Sequence, residues 1–457
     1  MIRYVLNSYQ LCWVSVTQQC LRFVGLRYTN PTYIYVPRTP VQGITVVPVL
    51  LICLAALTMG SCSSGPLLGV VEPTKGTAEP PTVVPYSKST FGLFDVSTFD
   101  VYVDDDIIHV LAGGKTSATD KQIKLRKLRY TRSEDGGRNW LAPVSLANLP
   151  ASINSRGNDI QLAAKGNHLL AVWQTKGELP GMGPMVSAYS QDNGLTWTQG
   201  SNPAVNNAGD QSHIALIADQ HGHFHAVWLE DPEENGYQSL RYAQSLDWGK
   251  HWGLATTLDD STCSCCWNTF AVSSNGDLNI LYRDMKPRDM SLLQSSDDGK
   301  TWRHASTVGE FGWKFDGCPH VGGGLTYTGT DNPTQLHSLV WTGAEGKSGM
   351  YHLSSKNNGA NWSIPKKLGN TAIHGDLVAL DSDNIVALWD EMEAGGASIF
   401  YAKSEDGGTS WLTAVRLTTA DHAATHPRLV ATKHGLLALW TEKPSKQPGR
   451  LAWQTIE

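Results

Sequence analysis

One turn motif recurs six times along the chain and constrains its fold more than any other feature. Five copies read Ser-x-Asp-x-Gly-x-x-Trp, and a sixth has asparagine in place of the aspartate. Successive tryptophans of the motif are 57, 55, 50, 60 and 49 residues apart, so the chain is an array of similar units. A repeat of this size is typical of propellers and solenoids. The copies are Ser133–Trp140, Ser190–Trp197, Ser245–Trp252, Ser295–Trp302, Ser355–Trp362 and Ser404–Trp411.

The residues of the motif suit a tight turn between two strands. An aspartate carboxylate accepts backbone N–H groups of its own loop, and glycine adopts the left-handed conformation that closes the turn. The tryptophan then returns to the sheet as a large apolar anchor. In the sixth copy, Asn357 keeps the acceptor oxygen and loses only the charge. We therefore expect all six turns to form.

Between the turns, short apolar runs rich in valine, leucine, tyrosine and tryptophan predict strands and show no helical period. Counting the second strand of each unit gives seven units, and four strands per unit around an axis make a β-propeller. The last unit has no turn motif and no fourth strand, and we expect residues Thr82–Ser87 to supply that strand. Six blades remain the alternative. The second strands are Ile107–Leu111, Leu169–Trp173, Phe224–Trp228, Leu278–Tyr282, Leu336–Trp341, Ile385–Trp389 and Leu436–Trp440.

The six turns resemble the Asp boxes of the sialidase (neuraminidase) superfamily and related propellers. The resemblance covers roughly residues 90–457 and implies an all-β propeller with every Asp box on one face. It implies little about function, because Asp-box residues are structural and function depends on sites rather than folds.

Composition is consistent with one large propeller. Charged residues make up 17% of the chain, and the 16 tryptophans fit an anchor repeated in each blade. The formal net charge of −6 gives no basic face for nucleic acid. We expect a monomer that binds no nucleic acid.

The N-terminal part predicts export rather than structure. Residues 44–59 have the length of a signal-peptide apolar region, and Gly60-Ser61-Cys62 resembles a bacterial lipobox whose cysteine is lipidated. An uncleaved anchor is the alternative. The predicted organisation is an extension and signal over residues 1–61, a flexible tether over 62–85 and the propeller over 86–457. The predicted location is the bacterial cell envelope, with a lipid anchor and an extracytoplasmic propeller. Translation is expected to begin downstream of residue 37.

Strand order sorts the polar residues onto one side of the ring. The chain reverses at each loop of a blade, so the Asp boxes lie on one face. The second-to-third and fourth-to-first loops lie on the opposite face, which we call the non-box face. Loop faces of such scaffolds tend to carry function. Polar residues predicted for the non-box face include Asp210, His213, His374, Asp390, His422 and His426.

The sialidase resemblance implies a set of catalytic candidates on the non-box face. Sialidases use three arginines around a substrate carboxylate, a tyrosine nucleophile paired with glutamate, and an aspartate acid/base, and arginine pairs with the carboxylate through a planar fork. The Phe/Tyr-Arg-Ile-Pro phrase that supplies the first sialidase arginine is absent from blade one. Ordinary ion pairs are the alternative role for these residues. The candidates are Arg156, Arg283, Arg288 and Arg428, Tyr237 with Glu230, and Asp159 or Asp210.

A second group of candidates combines cysteines with a histidine. Cys263-Ser264-Cys265-Cys266-Trp267 and Cys318-Pro319-His320 begin consecutive units and resemble a subgroup of exported bacterial sialidase-like proteins with no settled reaction. An oxidising compartment favours two disulfides among the four cysteines. The alternatives are a copper or zinc site formed by these thiolates with His320, and free thiols.

Two classes of function follow. One is recognition, with or without hydrolysis, of an acidic glycan through the Arg/Asp/Glu-lined non-box face; the enzyme would then be an exo-sialidase-like glycoside hydrolase. The other is a non-catalytic propeller that binds an envelope protein or a metal at the Cys/His cluster. No other cofactor is expected.

Overall fold

A computed structural model describes residues 86–118, 125–154, 159–178, 183–205, 210–231, 238–315, 317, 319–329, 334–419 and 422–456. These residues form 28 strands arranged in seven four-stranded sheets. None of them lies in a helix that is long and apolar enough to cross a membrane.

In chain order, the strands are β1 (Ser87–Ser89), β2 (Asp95–Asp104), β3 (Ile107–Lys115), β4 (Lys127–Ser133), β5 (Val144–Ser145), β6 (Gln161–Lys165), β7 (His168–Gln174), β8 (Met185–Ser190), β9 (Thr198–Gln199), β10 (Asp210–Ala218), β11 (Phe224–Asp231), β12 (Gln238–Ser245), β13 (Thr256–Thr262), β14 (Thr269–Val272), β15 (Leu278–Arg283), β16 (Met290–Ser295), β17 (Arg303–Val308), β18 (Gly323–Tyr327), β19 (Leu336–Thr342), β20 (Gly349–Ser355), β21 (Lys366–Leu368), β22 (Ala372–Ala379), β23 (Ile385–Glu393), β24 (Gly396–Ser404), β25 (Val415–Arg416), β26 (His422–Thr432), β27 (Gly435–Pro444) and β28 (Arg450–Ile456).

Each sheet is one blade of a seven-bladed β-propeller, so the predicted fold and blade number are confirmed. Six blades consist of consecutive antiparallel strands, beginning with β2–β5 and ending with β22–β25. The seventh blade contains β26, β27 and β28 and takes its outer strand from the N-terminal side, where β1 pairs with β28. The closing strand begins at Ser87, so it overlaps the predicted segment only at that residue. Residues 82–85 lie outside the described part of the chain.

The Asp boxes form as their residues predict. In the first copy, the Ser133 hydroxyl lies 2.8 Å from an Asp135 carboxylate oxygen and accepts the Gly137 N–H at 2.9 Å. The same carboxylate accepts the backbone N–H of Asn139 at 2.8 Å, and Gly137 has a φ of 85°. These hydrogen bonds lower the pKa of Asp135 to about 2. The Asn357 copy forms the equivalent turn, because its amide oxygen accepts an N–H at 3.0 Å.

The core lies between neighbouring blades. The tryptophans on the second strands of four blades are almost completely buried, and each packs with apolar residues of an adjacent blade. An aromatic side chain buries about 150–250 Å² of surface, so this ring of residues is a large part of the packing that joins the blades. The four are Trp173, Trp228, Trp389 and Trp440.

Four innermost strands carry β-bulges at the non-box end, and three of these bulges contain a histidine. The strand register shifts between Ser212 and Ala215, between Ala372 and Gly375, and between Thr425 and Arg428. A bulge inserts an extra residue and re-aims its side chain. The bulged segments contain the histidines His213, His374 and His426. Two of these have a left-handed backbone, with φ of 52° at His213 and 54° at His426.

Candidate functional site

A cavity of about 180 Å³ lies at the centre of the ring. Its walls come from the innermost strands of all seven blades, from β2 to β26. The polar lining residues include Asp100, His374, Asp376, His426 and Arg428. We call this space the axial cavity.

Trp267 is the aromatic centre of the axial cavity. It lies two residues before β14 and is half-buried. Its ring centroid lies 5.8 Å from that of His374, 5.5 Å from that of His426 and 5.8 Å from that of His213. Its indole N–H donates a hydrogen bond to the carboxylate of Asp159. Glycine at position 322 permits this packing, because a Cβ there would lie 2.9 Å from the Trp267 Cβ.

Two of these histidines share one buried carboxylate. The Nδ1 atom of His374 lies 2.8 Å from a carboxylate oxygen of Asp390, and the backbone N–H of His426 donates to the same oxygen at 3.0 Å. The two imidazole rings stack with centroids 4.1 Å apart. Burial opposes ionisation of Asp390, but the charges and hydrogen bonds of the histidines outweigh it and lower its pKa. Asp390 is therefore a fixed negative charge beneath the imidazole pair.

The arginine of the axial cavity is balanced by two carboxylates from other blades. Arg428 on β26 lies 2.9 Å from Asp100 on β2 and 3.1 Å from Asp376 on β22. Each carboxylate also accepts a backbone N–H from a neighbouring blade, Leu162 for Asp100 and Leu429 for Asp376. Burial raises the pKa of Asp100 to about 6, although Arg428 acts in the opposite direction. This Asp-Arg-Asp bridge joins blades one, six and seven.

A second cluster consists of three buried cysteines, the last of which directly precedes Trp267 in the sequence. Cys263, Cys265 and Cys266 are each at most 4% exposed, and their Sγ atoms all lie within 4.8 Å of one another. The Sγ atoms of Cys263 and Cys266 are 2.7 Å apart. We call these three residues the cysteine cluster.

Two buried arginines adjoin the cysteine cluster. Arg288 donates to the Cys263 Sγ at 3.2 Å, and its Nε atom is buried without a hydrogen-bond partner among the described residues. Arg283 donates to the carbonyl oxygens of Val321, Arg288 and Trp341. It is 2% exposed and Arg288 is 4% exposed. Within the described part of the chain, neither guanidinium group forms a salt bridge with a carboxylate.

The sequence and fold resemble known repeat propellers. Residues 107–310 match the model of the BNR repeat-like domain. That match begins at β3 and ends just after β17, so it covers most of blades one to four. No curated protein matches the chain in sequence.

Solved structures show the same architecture at low sequence identity. A polysaccharide lyase of family 25, an ulvan lyase, is 12% identical with a TM-score of 0.55, and the match covers 80% of this chain and 95% of that chain. A protein of unknown function from Dyadobacter fermentans is 13% identical with a TM-score of 0.46 over 82% and 100% of the two chains. Trypanosoma rangeli sialidase is 14% identical with a TM-score of 0.44 over 79% and 54% of the two chains. The lyase comparison supports the propeller fold.

The structure separates the arginines that the sequence groups on one face. Arg428 lines the axial cavity, whereas Arg283 and Arg288 lie at the cysteine cluster. Arg156, Tyr237 and Cys318 lie outside the described residues.

The remaining candidates have separate partners. Asp159 contacts Trp267 and thus adjoins the axial cavity. Glu230 accepts the indole N–H of Trp228 at 2.8 Å, and Asp210 accepts the side-chain amide of Gln174 at 2.5 Å. His320 precedes β18 and is not part of the group formed by the three cysteines.

Sequence reasoning placed His374, Asp390 and His426 on the non-box face but gave them no role. A signal was present in the repeat. In four blades, a histidine lies in the first half of the innermost strand or just before that strand. In blade four, Trp267 occupies the similar position. The four dipeptides are Ser212-His213, Pro319-His320, Ile373-His374 and Thr425-His426. Aligning the units on their innermost strands would have selected this ring of residues.

Proposed function

We propose that the propeller recognises an acidic glycan and that one sugar of this glycan occupies the axial cavity. The observation that carries the proposal is the half-buried Trp267 with three histidines around it at the centre of the non-box face. An indole ring offers an apolar surface with a polar edge, which suits the faces and hydroxyl groups of a sugar. The cavity of about 180 Å³ is smaller than pockets for drug-sized ligands, which suits one sugar rather than a long segment.

The acidic substituent meets imidazole groups rather than a free guanidinium. Arg428 already binds Asp100 and Asp376, so its charge is shared within the protein. His374 and His426 lie over Asp390, whose carboxylate oxygen lies 2.8 Å from the His374 Nδ1 atom and accepts the backbone N–H of His426.

The neighbouring fold guides the choice of test ligand. The ulvan lyase has been determined bound to a saccharide written as -[GlcA(1-4)Rha3S]-, which contains a uronic acid and a sulfate. We therefore include uronic-acid-containing and sulfated glycans, beside sialylated ones, among the acidic ligands to be tested.

Acid–base chemistry at this site would involve His374. Its Nδ1 atom is held by Asp390, which leaves Nε2 as the ring nitrogen available for a ligand. A carboxylate that orients an imidazole in this way is a recurring arrangement in general acid–base catalysis. Release of the fluorophore from a sialoside, or cleavage of a uronic-acid polysaccharide, should then be lost in both His374→Gln and Asp390→Asn.

Binding to an array of acidic and neutral glycans tests the recognition function. We expect binding to acidic members, loss of about tenfold or more in affinity for Trp267→Ala, which corresponds to about 1.4 kcal/mol, and partial retention in Trp267→Phe. His251→Ala is the matched control, because His251 lies in an Asp-box turn, where its side chain is 83% exposed. Absence of binding to every acidic glycan, or equal binding by Trp267→Ala, would contradict the proposal.

We also propose that the propeller is anchored in the cell envelope through lipidated Cys62. The support is the apolar run that ends in Gly60-Ser61-Cys62. Cys62→Ala should release the protein from the detergent phase or leave an uncleaved precursor, whereas Cys53→Ala, a cysteine within the apolar run, should change neither. Detergent partitioning and N-terminal mass spectrometry measure this, and unchanged partitioning of Cys62→Ala would contradict the anchor.

A further inference from the structure

The two arginines at the cysteine cluster carry positive charge into the interior without a matching carboxylate among the described residues. Arg283 and Arg288 are 2% and 4% exposed. Three carbonyl oxygens accept N–H groups of Arg283, and its guanidinium lies 5.1 Å from the centre of the Trp313 ring, but no carboxylate among the described residues offsets its formal charge. A buried charge costs several kcal/mol unless it is paired. The interior therefore requires negative charge close to these two groups.

The cysteine cluster is the source of negative charge within reach. Arg288 donates directly to the Cys263 Sγ at 3.2 Å. The three Sγ atoms lie within 4.8 Å of one another, so a thiolate at any of these positions lies close to the Arg288 guanidinium. One thiolate leaves the second arginine uncompensated.

We propose that Cys263, Cys265 and Cys266 together bind one soft monovalent cation of the Cu(I) type. Thiolates are the ligands that such a cation prefers. Three thiolates and one monovalent ion carry a net charge of two negative units, which the two buried guanidinium groups neutralise. Cys263 and Cys266 are separated by two residues in sequence, a spacing that recurs in metal sites. This site is separate from the axial cavity, and the proposal does not depend on glycan recognition.

The positions of the sulfur atoms allow a shared ion. All three Sγ atoms lie within 4.8 Å of one another. Metal–sulfur bonds of about 2.3 Å place two sulfurs that share an ion up to about 4.6 Å apart. The Sγ atoms of Cys263 and Cys266, now 2.7 Å apart, must move about 1 Å apart to reach such a geometry, which a small side-chain rotation provides.

A disulfide between Cys263 and Cys266 is the alternative to an ion-bound cluster. The two alternatives differ in the net charge that they place beside the buried arginines. Closeness of the sulfurs fits a disulfide, but that bond is neutral and removes the thiolate that receives the Arg288 hydrogen bond. Both arginines would then be buried with less compensation than before. The ion-bound cluster compensates them fully, which reverses the preference for disulfides drawn from the sequence.

The cluster has a route to solvent. A cavity of about 640 Å³ is lined by Met285, Lys286, Pro287, Arg288, Trp313, Phe315 and adjacent residues. Arg288 thus separates the Cys263 sulfur from this cavity. A cation can therefore reach the thiolates by displacement of one side chain, as a binding site requires.

The first test uses the unmodified full-length protein, purified without oxygen and titrated with Cu(I) in competition with bicinchoninate. We expect one equivalent of Cu(I) to be retained per chain and three thiols to become protected from alkylation. Intact mass distinguishes the alternatives. A mass two units below the reduced value, with no copper bound, would indicate a disulfide and overturn the proposal. Stoichiometric zinc that Cu(I) does not displace would overturn the assignment of the ion.

Variants then locate the site. Cys263→Ser and Cys266→Ser should lose retention of Cu(I), and Arg288→Leu should weaken Cu(I) binding by about 10–100-fold, as removal of a group bonded to a ligand atom commonly does. Trp267→Ala is the matched control, because it is adjacent in sequence yet faces the axial cavity, and it should retain one equivalent. Near- and far-ultraviolet circular dichroism confirms that each variant is folded. Full retention by both serine variants would overturn the proposal.

Discussion

The axial cavity and the cysteine cluster begin at neighbouring residues, Trp267 and Cys266, yet they balance their charges in different ways. In the axial cavity, Arg428 lies between two carboxylates, and Asp390 lies beneath the imidazole pair. In the cysteine cluster, two buried arginines have no carboxylate partner among the described residues. The charges of the first site are balanced by residues of the protein alone. Those of the second are balanced only when a monovalent cation holds all three cysteines as thiolates, which gives two negative charges for the two arginines.

Solvent access explains why the two arrangements coexist. Trp267 is half-buried and its neighbours line an open cavity. A ligand there replaces water, and the charged groups of the cavity keep their protein partners when it leaves. Cys266 is 1% exposed, and at that depth an unpaired charge is far more costly. Ligands of the axial cavity should therefore exchange readily, whereas an ion in the cysteine cluster should behave as a permanent part of the fold.

The largest expected effect is the loss of stability when Cu(I) is removed. A strong Cu(I) chelator should reduce the free energy of unfolding by about 3–5 kcal/mol, the cost of breaking a buried ion pair. Thermal and denaturant unfolding measure this, with Cys263→Ser as the variant that should no longer respond to the chelator. An unchanged melting temperature in the unmodified protein would show that the two sites do not differ as described.

A smaller effect is expected when the arginine of the axial cavity is removed. Arg428→Ala leaves Asp100 and Asp376 without their cation and breaks the bridge between blades one, six and seven. Because the Arg428 side chain is 28% exposed, we expect a loss of about 2 kcal/mol, below the range for a fully buried pair. Arg428→Lys should recover part of this. Denaturant unfolding at neutral pH provides the measurement, and a neutral Arg428→Ala substitution would contradict the bridge.

The third effect concerns the pH dependence of stability. The folded-state pKa of Asp100 is raised to about 6 by burial, above its ordinary value of 3.8. The native state therefore binds a proton that the unfolded state has already released, so the stability contributed by this group is present below about pH 4 and is lost as pH rises through about 6. Asp100→Asn should remove this loss, which amounts to about 3 kcal/mol between pH 4 and 7 for a shift of about two pKa units. Parallel pH profiles for the variant and the unmodified protein would contradict the assignment.

The repeat predicted most of the fold because its information is local. The turn hydrogen bonds around Ser133 and Asp135 depend only on eight consecutive residues, and the same holds for the copy that contains Asn357. Counting the second strand of each unit then gave seven blades, one more than the number of turns. The closing strand was predicted at Thr82–Ser87 from the strand missing in the last blade, and the observed strand, Ser87–Ser89, overlaps that segment only at Ser87.

The candidate site was predicted less well, because its residues meet only through the ring. Arg283 and Arg428 share a face by strand order, but Arg283 ends a second strand and binds three main-chain carbonyls between blades. Arg428 lies on an innermost strand and reaches the axis. Strand order specifies on which face of the ring a residue lies. The position of its strand within the blade specifies whether the side chain reaches the axial cavity or the space between two blades.

The sequence by itself determined the all-β propeller and the face that carries the polar residues, since both follow from short-range periodicity. It favoured seven blades over six, and the structure decided for seven. Only the tertiary structure decided that Trp267 meets His374 and His426, residues far away in the chain, and that Arg283 and Arg288 surround the cysteines. Contacts between such distant residues depend on how each blade is rotated about the axis and on which residues the bulges re-aim. Those quantities are set by packing between blades, to which residues far apart in the chain contribute together.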